Sequence, residues 1–218
     1  MVRRRVAGEP LEQVLGWVRF GGLRLVVRPG VFVPRRRTEL LATEAVARAR
    51  PGSVVVDLCC GIGAVAAVLL ANVPDVEVYA ADIDPVEVGC ACVNLPGATV
   101  LEGDLYDALP ARLRGRVDVL VANAPYVPTD RIATMPPEAR EHEPLVALDG
   151  GPDGLDVVRR IVAEALPWLA GTGGLLFECG ADQVETVRAF VGERGLAARM
   201  VTDDETGGTV VVADRSSR

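Results

Sequence analysis

Residues 119–130, VLVANAPYVPTD, end a hydrophobic run with an asparagine, a small residue, a proline and a tyrosine. Pro125 and Pro128 cannot continue a ladder, so Asn123 to Tyr126 fall at the C-terminal tip of a buried strand. These residue types suit group transfer to a planar nitrogen. An amide nitrogen attacks poorly because its lone pair is delocalised into the carbonyl, and acceptors facing both N–H groups would orient it and raise its electron density. The Asn123 side-chain oxygen is one such acceptor and the Ala124 backbone carbonyl is the other. Pro125 fixes the turn at a φ of about −65°, and Tyr126 offers a flat face to the amide. No strong general base is needed, because the product proton can leave after transfer. The competing reading of Asn123 is a turn former bonded to its own backbone.

Sixty residues earlier, roughly, DLCCGIGAVA joins a strand to a helix, and Gly61-x-Gly63-x-x-Ala66 satisfies the dinucleotide fingerprint. The glycines let the backbone turn sharply and let a cofactor approach the helix N-terminus, which serves NAD and S-adenosylmethionine equally. Asp82 ends the next strand about 20 residues on, where an acid accepts hydrogen bonds from ribose hydroxyls. Two further acids favour S-adenosylmethionine. Asp57 places negative charge at the first strand's end, where an ammonium group is welcome and a pyrophosphate is repelled. Asp104, in LEGD, ends the third strand beside the expected adenine. A solvated strand end is the structural alternative for each acid taken singly.

These residues need a scaffold. The segments SVVVDL, VEVYAAD, ATVLEGD, Val117 to Ala122 and GGLLFEC read as strands. Helices are expected at Ala64 to Ala71, Pro85 to Val93, Leu155 to Leu169 and Asp182 to Glu193. Such alternation predicts an α/β fold with a parallel sheet covered on both faces. LAARMVTD and GTVVVAD, joined by a short acidic, glycine-containing link, close it as an antiparallel hairpin. The layout is that of a class I methyltransferase, a Rossmann-like seven-stranded sheet. Ahead of it, WVRFGGLRLVV predicts a small hairpin turning at Gly21-Gly22, and Thr38 to Arg48 a capped amphipathic helix. We therefore expect an N-terminal extension over 1–37 and the main domain over 38–218.

The chain of 218 residues carries a net charge of −7, which argues against indiscriminate binding to phosphate backbones, although Arg3 to Arg5 and Arg35 to Arg37 make the N-terminal part locally basic. All 23 basic residues are arginine, so lysine-based covalent chemistry is excluded. The five cysteines, Cys59, Cys60, Cys90, Cys92 and Cys179, lack zinc spacing and read as small buried thiols; no metal site is expected. The lone histidine, His142, reads as a packing or loop hydrogen-bonding residue, with a direct role in the site as the alternative. With neither a leader-like h-region nor a membrane-length apolar stretch, the expected location is the cytoplasm.

In order, VFVPRRRTELL, DLCCGIGA, AADIDP, NAPY, EHEPLVALDGGPDGLDVVRRI and FECGADQ give a chain that resembles the HemK/PrmC family of protein-(glutamine-N5) methyltransferases over roughly residues 10 to 213. The most specific part is the run from Glu143 to Leu155. The resemblance implies S-adenosylmethionine as methyl donor and a glutamine side-chain amide in release factors as acceptor. It also implies a cofactor site formed by Phe32, Pro34, Asp57, Cys59, Gly61, Gly63, Asp82, Ile83, Asp104, Leu105 and Asn123, with Asn123, Ala124, Pro125 and Tyr126 at the reacting nitrogen. The chain departs from the pattern at Cys59, where glycine is usual, and at Ala124, where the family has proline. About ten residues stand where the family has a helical N-terminal domain that engages the protein substrate. The alternatives left open are a small amide or amine as acceptor, an exocyclic amine of a flipped or single-stranded base, and a non-catalytic cofactor-binding partner.

Overall fold

The computed structural model describes residues 1–216; the last two residues of the expected 38–218 domain lie outside them. Two short helices, α1 (Val2–Val6) and α2 (Leu11–Leu15), precede the hairpin of β1 (Trp17–Phe20) and β2 (Leu23–Val26). There follow α3 (Glu39–Arg48), β3 (Val54–Leu58), α4 (Ala64–Asn72), β4 (Glu77–Asp82), α5 (Pro85–Asn94) and β5 (Thr99–Glu102). After β6 (Val117–Ala122) the chain runs through α6 (Pro137–His142), α7 (Asp156–Ala165), β7 (Leu169–Glu178) and α8 (Val184–Glu193) to the closing pair β8 (Leu196–Asp203) and β9 (Gly208–Arg215). No helix among the described residues is long and apolar enough to cross a membrane.

The seven strands form one sheet in the order β5-β4-β3-β6-β7-β9-β8, parallel from β5 to β7 and antiparallel at β9 and β8. This is the predicted class I methyltransferase architecture with its terminal hairpin. From β3 the chain first winds outward to β4 and β5, then returns to β6 on the other side of β3. Beyond the C-terminal ends of β3 and β6 there is thus a crevice, the place where open α/β sheets take ligands.

Burial follows the two-residue period of a strand. Val55, Val119 and Val121 face one layer with Leu41 and Ala45 of α3 and with α4, while Val54, Val56, Leu58 and Leu120 face the other with α7 and α8. Helix α4 is buried through Ala64 to Leu69 because the sheet, α3 and the hairpin enclose it, so it needs no polar face. The N-terminal hairpin joins that same core through Val18, Phe20 and Leu25.

Four expectations are corrected. The helix predicted over Leu155 to Leu169 stops at Ala165; Pro167 follows, and Leu169 already pairs with Val117. A register shift lies between that pair and Val119 with Gly174, so β7 begins earlier than GGLLFEC indicates. Thr38 makes no side-chain cap on α3; its hydroxyl is drawn instead to a buried glutamate. Lastly, the cysteines are not uniformly buried: Cys60, Cys90 and Cys179 are, Cys59 is half-buried and Cys92 is exposed.

Candidate functional site

The glycine loop after β3 is held from below and from the side. Asp57 is not at the strand's tip but within β3 and 1% exposed, its Oδ2 accepting the Ala66 N–H at 3.1 Å in the first turn of α4. Asp82 Oδ2 accepts the Gly61 N–H at 2.8 Å, and Oδ1 accepts the Asp84 N–H at 3.0 Å. Cys59, the residue that replaces a glycine, sits at φ +53°, a conformation for which a side chain is a disadvantage.

One cavity opens above the sheet, and its wall contains Phe32, Pro34, Asp57, Cys59, Gly61 and Asp82. Ile83, Asp104, Leu105 and the whole of Asn123 to Tyr126 share it. Gly63 is not on this wall. A β-carbon there would lie 2.6 Å from Leu95 Cδ1, so the glycine serves the packing of the loop against the end of α5. Asp104 lies beyond β5, which ends at Glu102, and pairs with Arg160 at 2.7 Å. His142 is absent from the wall; its carbonyl accepts a hydrogen bond from Gln13 Nε2 at 3.3 Å.

The N-A-P-Y tip is organised by a residue to which sequence reasoning assigned no role. Glu178, the last residue of β7, is 1% exposed. Its Oε1 accepts from Tyr126 Oη at 2.6 Å and Arg37 Nε at 3.0 Å, and its Oε2 accepts from Thr38 Oγ1 at 2.7 Å. Asn123 Nδ2 in turn donates to Thr38 Oγ1 at 3.4 Å, and the Asn123 oxygen takes no hydrogen bond from the described residues. Burial, with the Glu178 carboxylate adding to it, holds the Tyr126 phenol well above its ordinary range. Tyr126 is therefore neutral, and a donor.

Two more buried glutamates hold the segment between the hairpin and α3. Glu143 accepts from Arg35 at 2.5 Å and from the Val33 N–H at 3.3 Å, and Glu87 accepts from the Phe32 N–H at 2.5 Å. Arg35 also lies over the Phe32 ring, 4.8 Å from its centre. The run after Glu143 fixes Tyr126 from its other side. Gln183 Nε2 donates to the Tyr126 and Asp153 carbonyls at 3.0 Å each, and Gly150 N donates to the Val127 carbonyl at 2.9 Å.

The donor set suits a cationic nucleoside. Carboxyl groups of Asp57, Asp82 and Glu87 line a cavity whose other surfaces include Phe32, Ile83 and Leu105, and the Glu87 Oε2 is buried without a hydrogen-bond partner among the described residues. A model of the methyltransferase small domain matches residues 22–135, more than half of the chain. Fold and site define a class I methyltransferase dependent on S-adenosylmethionine. The chain is 38% identical to a release factor glutamine methyltransferase of Geobacter sulfurreducens, over 99% of this chain and 76% of the relative. It belongs to the release factor glutamine methyltransferase family. A 4-amino-L-phenylalanine/4-methylamino-L-phenylalanine methyltransferase of Streptomyces pristinaespiralis is 39% identical over 87% of this chain and 67% of its own length. Among solved structures, a release factor-specific protein-(glutamine-N5) methyltransferase of Alicyclobacillus acidocaldarius shares 26% identity with a TM-score of 0.54, over 85% of this chain and 95% of that one.

Gly154 ties the specific loop to the site: at φ +77°, a β-carbon would come within 2.2 Å of the Tyr126 carbonyl oxygen. Gly154→Ala is expected to destabilise the fold by about 1–3 kcal/mol in urea denaturation. It should also lower methyl transfer more than cofactor affinity, since Tyr126 must move.

Proposed function

We propose that this chain transfers a methyl group from S-adenosylmethionine to the side-chain amide nitrogen of a glutamine presented by a protein, with a release factor as the first substrate to test. The observation that carries this reading is the hydrogen-bond order from Glu178 through Thr38 to Asn123, which commits the Asn123 nitrogen and reserves its oxygen. That oxygen and the Ala124 carbonyl accept the two N–H groups of the incoming amide, and Tyr126 packs against its plane. The cofactor supplies an electrophilic methyl group. Asp82 and Gly61 hold its ribose side, Ile83 and Leu105 its base, and Asp57 draws its ammonium group. The chain's task is orientation, which is worth up to about 7–11 kcal/mol of a barrier when the reacting atoms are held near attack distance. No residue need act as base before transfer, and the engaged, neutral Tyr126 is not one.

A second acceptor class is favoured by one specific finding. The Streptomyces relative, as similar in sequence as the first, is named for a free aromatic amine. An aryl amine also presents N–H groups on a planar support to the same pair of acceptors. Purified protein, labelled S-adenosylmethionine and three acceptors tested in parallel (intact release factor, a glutamine peptide and 4-amino-L-phenylalanine) separate the readings. Label on a glutamine amide supports the first; label on the amino acid alone replaces it with the second.

Asn123→Ala is expected to lower turnover about 10²- to 10³-fold by removing one preorganised acceptor, with cofactor affinity falling far less. Asn123→Asp keeps an acceptor and should retain partial activity. Parental turnover in the alanine variant, with its fold intact, would reduce Asn123 to a turn former.

Asp57 generates a pH dependence. Burial is the main cause that pushes its carboxyl up to about 7; the Ala66 bond opposes this and Asp82 adds to it. Ionised above that pH it attracts a cation, and protonated below it does not. Calorimetric affinity for S-adenosylmethionine should therefore rise several-fold from about pH 6 to about pH 8. Asp57→Asn should flatten that step.

A further inference from the structure

Glu87 carries a hydrogen-bonding atom that the protein itself does not use. Asp84 caps α5, its Oδ1 accepting from the Val86 N–H at 2.7 Å, and Pro85 opens the helix, so Glu87 falls in the first turn with its side chain directed back towards the glycine loop. The residue is 2% exposed. Oε1 is engaged by the Phe32 N–H, whereas Oε2 is the buried side-chain oxygen without a partner among the described residues. A carboxyl oxygen left unsatisfied in a native interior costs free energy, and its persistence on a cavity wall points to a ligand group that fills it.

The position of Oε2 narrows the ligand group. Gly61 is shared between two acids: Asp82 Oδ2 holds its N–H at 2.8 Å, and Glu87 Oε2 lies 3.7 Å from where its β-carbon would be. A group that reaches Asp82 across the face of Gly61 is therefore within reach of Glu87. Asp82 is the strand-end acid, the position at which ribose hydroxyls are taken in sheets of this kind. A vicinal diol offers two hydroxyls, each both donor and acceptor, which matches two carboxyl groups better than a single ammonium does.

We propose that Glu87 is a second ribose ligand, its Oε2 hydrogen-bonding a hydroxyl of the cofactor's ribose alongside Asp82. The proposal rests on the assignment of this cavity to S-adenosylmethionine. Burial, together with the charges of Asp82, Asp84 and Glu143, raises the Glu87 carboxyl to about 8. At neutral pH it is therefore protonated, does not repel Asp82, and can donate to a ribose oxygen as well as accept. The same side chain holds the Phe32 backbone through its other oxygen, so ribose binding and the 32–38 segment meet in one carboxyl group.

The test is calorimetry with S-adenosylhomocysteine and with its analogues lacking the 2′- or the 3′-hydroxyl, on the full chain and on Glu87→Ala, Glu87→Gln and Asp82→Ala. Glu87→Ala should weaken S-adenosylhomocysteine about 10-fold, the scale of one buried hydrogen bond. It should weaken the analogue that lacks the contacted hydroxyl by less than about twofold, the signature of a direct pairwise contact. Glu87→Gln, neutral and able to donate and accept, should restore most of the lost affinity. Glu87→Met, which fills similar volume without a strong hydrogen-bonding atom, takes the place of the alanine variant if that variant does not fold. Equal losses on parent ligand and both analogues would overturn the proposal and make Glu87 only a tether for Phe32, as would unchanged affinity. If Asp82→Ala leaves the affinity for S-adenosylhomocysteine unchanged, the cavity assignment itself falls; if it weakens binding while Glu87→Ala does not, only the Glu87 proposal falls.

Discussion

The carboxylate of Glu178 ends the β7 strand in a place water does not reach, and a buried charge is tolerated only when donors surround it. Arg37, Thr38 and Tyr126 are those donors, the first two adjacent in the 3₁₀ turn that leads into α3 and the third at the tip beyond β6. Charge-assisted bonds of this kind are short and directional. Satisfying one carboxylate therefore fixes the separation between the N-terminal segment and the N-A-P-Y turn. Thr38 passes the order on, because a hydroxyl that donates to Glu178 must present its lone pairs elsewhere, and Asn123 Nδ2 takes them. The orientation of the Asn123 amide is in this sense set by a buried carboxylate on the next strand of the sheet.

The same device recurs along the segment from Phe32 to Thr38. Glu87, Glu143 and Glu178 anchor it at successive points, through Phe32, through Val33 and Arg35, and through Arg37 and Thr38. Irregular backbone that crosses a cavity has no ladder to hold it, and side-chain acceptors supply what a strand would get from its neighbours. Neutralisation is local: Arg35 and Arg37 meet Glu143 and Glu178, while Asp57, Asp82 and Glu87 have no arginine partner among the described residues. The three carboxyl groups around the glycine loop are consequently left without a cation, whereas those beside the N-A-P-Y tip are balanced.

Much of the fold could be read from the sequence because β3 and β6 are covered on both faces and so appear as apolar runs, each interrupted by a single aspartate, Asp57 and Asp118. The misplacements have local causes. The irregular register between β6 and β7 hides the start of β7, and five-residue helices such as α1 and α2 are too short to show a period. The glycine loop, Asp82 and Asn123 could be brought to one cavity from the sequence because each follows or ends a parallel strand within a short motif. Glu178, Glu143 and Glu87 could not, since their partners lie up to 141 residues away. A glutamate at the end of LLFE reads as a solvated strand end. The one available signal was that FECGADQ belonged to the family resemblance without any assigned chemistry.

Glu178 orders the Asn123 amide through Thr38. This coupling is tested most directly by a double-mutant cycle of Glu178→Gln and Thr38→Val, read as kcat with the acceptor that takes label and as cofactor affinity by calorimetry. Either change is expected to lower kcat about 10²-fold, the cost of a misplacement on the order of 1 Å. The double variant should be scarcely worse than the single ones, and cofactor affinity should be nearly constant throughout. Losses that multiply, or a Glu178→Gln protein that folds and turns over like the parent, would contradict it.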